Sequence, residues 1–531
     1  MLQHRSSLLA LVFMSQPFSG QDKFDMFVLT DKGIFQTIRI FAGKLRNLAV
    51  CKMLRNLNYS NERTIVFKKH IDAMNGSQSG VFPNILQNRE KMKTEKESKD
   101  TLNKSILRLA IPNIISNITV PLLGLVDMML MGHLDSVAYI GAIGLGGTIF
   151  SVMYSVFSFM RAGTTGFTAQ SLGACDREEI SYSLYRSLCI ALIATIIVLG
   201  LQNPIEWISM KLLNGSEDVL RYTTDYFYVR IWAAPAVLCL YAFNGWYIGM
   251  QNTTVPMVIA ILINVVNIAA SIFCVSELGM GVRGVALGTV IAQYCGLATA
   301  LVFLFAKYSK YLISIKKEIL LQADKLKRFF KVNTDFMIRS ILLILSIAFF
   351  TNQSAKLGDD VLAVNMILMQ FFYIFSYFTD GFAYAGEALV GKFTGAKDKI
   401  QLKKTVKLLL TWGICLSVPF TLLYWLFPET FIGLISNQAE VIEQARPYHL
   451  YMIIIPIITF AAFIWDGIYI GATAARSIRN TMIIASIFVF LPAWYFLMPA
   501  FGNHGLWIAF LLFMLARGIS MTLISKKAIG I

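Results

Sequence analysis

The residues most able to do chemistry are acids placed where water is scarce. Residues 106–132 read ILRLAIPNIISNITVPLLGLVDMMLMG, with Asp127 inside an apolar run interrupted by Pro112 and Pro121. A carboxylate in lipid is expensive unless it is neutral, paired or facing water, so it is a functional candidate. The plainer alternative is a packing kink with an acid reaching for the helix end. Pro121 has no amide hydrogen, so the Asn117 carbonyl loses its helical partner and a bend is expected there.

A second group follows at 373–387. Tyr373, Tyr377, Asp380, Tyr384 and Glu387 are spaced 4, 3, 4, 3 and share one helical stripe. Two acids and three rings suit a wet cavity for cationic or aromatic compounds, through charge attraction and cation–π contact. The alternative is packing between helices, with Asp380 and Glu387 paired to Arg339 or Arg161. Asp466 is a further acid for that cavity. Asn264, Asn267 and Ser271 also share a face, and with Thr289, Asn244 and Asp127 they make a polar pocket that lets Asp127 carry a proton. The alternative for the neutral members is polar glue between helices.

Elements long enough to position these groups must cross a membrane. The 531-residue chain is 56% hydrophobic and only 15% charged, against about 25% charged in soluble proteins. From Ile106 onward twelve spans are expected, near 106–132, 137–160, 183–203, 226–250, 255–275, 283–306, 332–355, 361–386, 404–427, 447–471, 480–500 and 503–524. The net charge of +16 collects in alternate loops, with lysines at 307, 310, 316, 317, 325, 327 and 331, and again at 392, 397, 399, 403 and 404. The other loops carry acids, among them Glu206, Asp218, Glu277, Asp359, Asp360 and Glu440. That asymmetry predicts both termini in the cytoplasm and explains the charge without a nucleic-acid partner.

The second half repeats the first. Asn244-Gly-Trp-Tyr-Ile-Gly249 recurs as Asp466-Gly-Ile-Tyr-Ile-Gly471, and Gly173-Ala-Cys-Asp176 as Gly395-Ala-Lys-Asp398, both 222 residues on. Gly284 recurs as Gly505, at 221. Six spans per copy leave both copies in the same orientation, a parallel repeat. The expectation is an all-α membrane protein of twelve transmembrane helices in two pseudo-symmetric six-helix bundles. The lobes are 101–306 and 332–531, with 307–331 a cytoplasmic linker. Residues 1–100 are expected to be a poorly ordered extension, with Met92 a candidate true start; peptides recovered from 1–91 would overturn that start.

Several functions find no support. Gly386-Glu-Ala-Leu-Val-Gly391-Lys392 approaches a P-loop, but Phe393 follows and no strand precedes it. There is no HExxH and no nucleotide-binding motif, so an enzyme is not expected and transport would draw on an ion gradient. The seven cysteines show neither metal-ligand spacing nor a disulfide framework, so no cofactor or metal is expected. The 23 methionines suit an adaptable binding wall as well as ordinary core filling.

VDMMLMGHL at 126–134, RAGTTGFTAQSLGA at 161–174 and NGWYIGMQNT at 244–253 resemble the multidrug and toxic compound extrusion (MATE) family. NTDFMIRS at 333–340, TDGFAYAGEALVGKFTGAKD at 379–398 and DGIYIGATAARSIRN at 466–480 extend the likeness, to its DinF-like branch. The resemblance runs from about Thr101 to the C-terminus. It implies a monomeric exporter of organic, cationic or amphipathic toxic compounds in the bacterial inner membrane, driven by antiport of protons or sodium. Asp127 matches the family's acid in the first span, Asn267 and Thr289 match its polar partners, and Asn244 is a weaker match. Ser271 stands where relatives carry a second aspartate, which favours proton over sodium coupling. Asp380 and Glu387 match acids of the branch. The competing expectation is a flippase for lipid-linked precursors, a function of the wider superfamily. A structural scaffold or membrane enzyme is the third.

Overall fold

The computed structural model describes residues 8–14, 23–30, 35–41, 100–119, 137–213, 215–320, 322–435 and 438–530. Met1–Lys93 and Thr94–Ile531 are separate units. In the first, Leu8–Met14, Lys23–Thr30 and Phe35–Phe41 form an antiparallel sheet with the middle strand at its centre.

The second unit is helical. Residues 100–119 form the described part of span 1, and the rest of that expected span, with Pro121 and Asp127, lies outside the described residues. Among the described residues, eleven further helices are long and apolar enough to cross a membrane, each falling on one of the remaining expected spans. Spans 2 to 6 are Ala138–Gly173, Arg177–Gly200, Glu217–Gly249, Thr254–Glu277 and Gly281–Tyr311. Spans 7 to 12 are Ala323–Lys356, Asp359–Gly395, Lys399–Leu426, Glu440–Gly471, Ala475–Phe501 and Asn503–Ile529. Helices satisfy every interior backbone group within themselves, which is why apolar runs in lipid fold this way. Many overshoot the expected bounds: span 8 has 37 residues, about 55 Å, against a hydrocarbon core of about 30 Å. Span 8 runs from Asp359 through Glu387 to Gly395, past its expected end at 386.

The repeat is written into the backbone. Cys175 and Lys397, 222 residues apart, both turn left-handed, at φ 58° and 55°. Gln251 and Thr473, again 222 apart, do the same at 62° and 51°. Each reverses the chain just after a long helix, where a left-handed residue satisfies the last carbonyls. After Cys175 and Lys397 the next helix starts with an aspartate cap: Asp176 accepts from the Glu179 amide at 2.9 Å, and Asp398 from the Gln401 amide at 3.0 Å. Tyr247 donates to the Ala300 carbonyl and Tyr469 to that of Met521, both at 2.6 Å, pinning span 4 to span 6 and span 10 to span 12.

The lobes meet along spans 2 and 8. A Cβ on Gly173 would collide with the Lys392 carbonyl, and one on Gly395 with the Gln170 carbonyl, which is the same contact repeated from the other lobe. Only glycine permits that backbone approach. Above it an apolar core crosses the seam, joining Ile106, Ala110, Ala162 and Ile248 to Phe382, Ala385, Ala388 and Leu389. Gln170 donates to the Gly471 carbonyl at 3.0 Å, and Gln251 to that of Ala388 at 2.6 Å.

Candidate functional site

The stripe of span 8 lies where spacing placed it. Tyr373, Tyr377, Asp380 and Tyr384 are half-buried, while neighbours such as Phe372, Phe375, Thr379 and Phe382 are buried. Glu387 ends the stripe and is 1% exposed. Its two oxygens accept from the two terminal nitrogens of Arg161, at 2.9 and 3.1 Å. Arg161 belongs to span 2, so this two-point ion pair bridges the lobes. The same guanidinium lies 4.2 Å from the Tyr384 ring centre. The pairing of Glu387 expected under the packing alternative is therefore present.

Asp380 differs. It makes no ion pair among the described residues, although Arg161, Arg339, Asp466 and Glu387 are within electrostatic reach. Asp466 holds the neighbouring cations instead. Its Oδ2 accepts from Arg339 of span 7 and from Arg517 of span 12, the latter at 2.7 Å. Arg517 is 1% exposed. Its charge can persist there only against an acid, since an unpaired buried cation costs several kcal/mol. Sequence reasoning did not single out Arg517, although a lone arginine in LLFMLARGISM is the kind of signal that flagged Asp127.

In the first lobe, Asn267 donates to the Thr289 hydroxyl at 2.9 Å, which in turn donates to the Val285 carbonyl at 3.1 Å. Ser271 is buried one turn further on, against Gly288, where a side chain would displace it. The Oδ1 atoms of Asn244 and Asn267 and the Ser271 hydroxyl are buried without a partner among the described residues. Three unpartnered oxygens suit a proton, a cation or water, because buried polar groups otherwise stay satisfied. Asn244, Asn264 and Thr289 line a cavity of about 330 Å³ with Tyr154, Arg230 and Gln293. Asn267 and Ser271 are not part of its wall.

Span 1 is held on both sides just before residue 120. Asn117 donates to the Tyr377 carbonyl of span 8 at 3.1 Å. Asn264 of span 5 donates to the Thr119 carbonyl, also at 3.1 Å. The first-span helix thus links the two candidate regions. No group of three or more metal-ligating residues occurs among the described residues.

Two repeated six-helix lobes, a glycine-lined seam and a charged cluster across it define a polytopic membrane protein of transporter type. The MatE family profile matches twice, at 112–273 and 335–495, once per lobe, and the chain belongs to that family. It is 35% identical over 427 residues to DNA damage-inducible protein F of Escherichia coli (strain K12), covering 80% of this chain and 92% of that one. A probable multidrug resistance protein NorM of Photorhabdus laumondii is 24% identical, covering 80% and 95%. The fold matches the crystal structure of the Vibrio cholerae MATE transporter VcmN in the bent form, with a TM-score of 0.73 at 18% identity, covering 82% of this chain and 98% of that one.

Proposed function

We propose that this protein is a secondary antiporter that exports organic, cationic or amphipathic compounds in exchange for protons, by rocking its two lobes. The observation that carries the reading is Asp380, an intramembrane carboxylate without a cation of its own, beside a seam closed by the Arg161–Glu387 pair. The half-open tyrosines above it offer rings to an amphipathic cation. Asp127 is the proton carrier in this account, and Asn267, Thr289, Asn244 and Ser271 are its polar surroundings. Protonation of Asp127 bends span 1 at Pro121 and disturbs the links of Asn117 to span 8 and of Thr119 to span 5. Sodium is the alternative coupling ion, with the unpartnered Asn267 and Ser271 oxygens as its ligands. The protein acts as a monomer in a bacterial inner membrane, with both termini in the cytoplasm, as the lysine-rich loops favour.

One observation favours the flippase as a second reading. Arg230 lines the cavity of about 330 Å³, and no acid is among that cavity's described lining residues. An anionic headgroup therefore has a cationic partner in that wall. Dye efflux from cells, against movement of a fluorescent polyprenyl-phosphate lipid in vesicles, separates the two.

A further inference from the structure

A groove of about 480 Å³ runs between the first lobe's span 1 and the second lobe's span 9. Its wall includes Lys404, Lys407, Leu408, Trp412 and Cys415 of span 9 and Leu102 of span 1. We propose that it seats an anionic glycerophospholipid that joins the two lobes. This inference rests on membrane insertion and not on the antiport reading.

Lys404, Lys407, Thr411 and Cys415 are spaced 3, 4, 4, so they form one stripe down the helix. From Lys404 to Cys415 the helix descends about 16 Å, half of a hydrocarbon core of about 30 Å. The groove is therefore basic at one end and apolar for the depth of one leaflet. Neither lysine has an acidic partner among the described residues. Lys407, Thr411 and Cys415 are exposed on the helix side that faces away from the bundle. A headgroup phosphate meets the ammonium groups while an acyl chain lies along Leu408 and Cys415. A soluble anion would fill only the basic end, and an apolar peptide would leave the lysines unmatched.

The floor of the groove is the joint itself. The Trp412 indole donates to Asn103 Oδ1 at 3.1 Å, across the gap between spans 9 and 1. Its ring stacks on Phe382 of span 8, with centres 5.6 Å apart. A lipid seated there presses on one of the contacts that tie span 1 to the second lobe.

Trp412 also supplies the probe. The full-length protein in phosphatidylcholine vesicles is titrated with dibrominated phosphatidylglycerol or dibrominated phosphatidylcholine. The Trp412 signal is the difference from a Trp412→Phe variant. Quenching by the anionic lipid is expected at roughly thirtyfold lower mole fraction, from about two lysine contacts near the membrane surface. The preference should vanish in Lys404→Gln/Lys407→Gln. Native mass spectrometry of wild type and the lysine variant, counting retained phosphatidylglycerol, gives the same answer without altering Trp412. Equal quenching by both lipids, or a preference and a retained-lipid count unchanged by the lysine substitutions, overturns the proposal.

Discussion

Arg161 and Glu387 face each other across the lobe seam through two hydrogen bonds, and neither has a charged counterpart in the repeat. At an offset of 222, Arg161 corresponds to Ala383 and Glu387 to Thr165. The pair therefore breaks the symmetry of the repeat. Glu387→Gln leaves Arg161 without its counter-charge and should cost about 3–5 kcal/mol of stability. The exchange Arg161→Glu/Glu387→Arg should recover part of the loss. Thermal unfolding in detergent checks both, and an exchange variant no better than either single substitution would contradict a direct pairing.

Asp466 presents the sharper stability case. Asp466→Asn leaves Arg339 and the buried Arg517 sharing a neutral oxygen, so a loss of about 3–5 kcal/mol is expected. Asp380→Asn removes no ion pair among the described residues and should shift stability by less than about 1 kcal/mol, while transport falls at least tenfold. Paired measurements of unfolding temperature and dye efflux separate these two carboxylates. A destabilised Asp380→Asn protein would mean that its acid is structural.

The glycine contacts of the seam set a steric prediction. Gly173→Leu and Gly395→Leu place side chains against the Lys392 and Gln170 carbonyls and should prevent the seam from closing. A cysteine introduced at Gln170 should then react faster with a water-soluble maleimide than in the parent. Gly200→Ala, with nothing within 4 Å of the added carbon, should leave labelling and efflux unchanged. Unaltered labelling in the leucine variants would show that the seam still closes around the added side chains and would contradict the steric account.

Asn267 and Thr289 hold span 5 to span 6 through one buried hydrogen bond. Asn267→Leu should cost about 1–3 kcal/mol by leaving Thr289 short of a partner. It should also abolish any sodium dependence of transport, because an oxygen ligand is lost. Thermal unfolding with and without sodium reads both effects, and a sodium-induced stabilisation that survives the substitution would exclude Asn267 as a ligand.

Much of this architecture was legible because it rests on runs and periods. Apolar length located the spans, the 222-residue echo gave the lobes, and the spacing of Tyr373 to Glu387 gave a stripe whose first four members stay half-buried while Glu387 is buried. Partners were harder. Arg161 and Glu387 are 226 residues apart, and nothing local says that spans 2 and 8 touch. The choice of Asp466 over Asp380 by Arg339 and Arg517 depends on which side chains converge from four helices. Arg517 was visible as an arginine inside an apolar run, and the same rule that marked Asp127 applies to it. Gln170 and Gln251 carried no signal, since a glutamine at a helix end is ordinarily solvated.

The most direct test of proton-driven export is dye efflux from cells carrying the full chain, under an imposed proton gradient, an imposed sodium gradient, or neither. The account predicts efflux that follows the proton gradient and is lost in Asp127→Asn, with Asp380→Asn impaired but folded. Efflux at the wild-type rate in Asp127→Asn, or efflux that follows sodium alone, would contradict it.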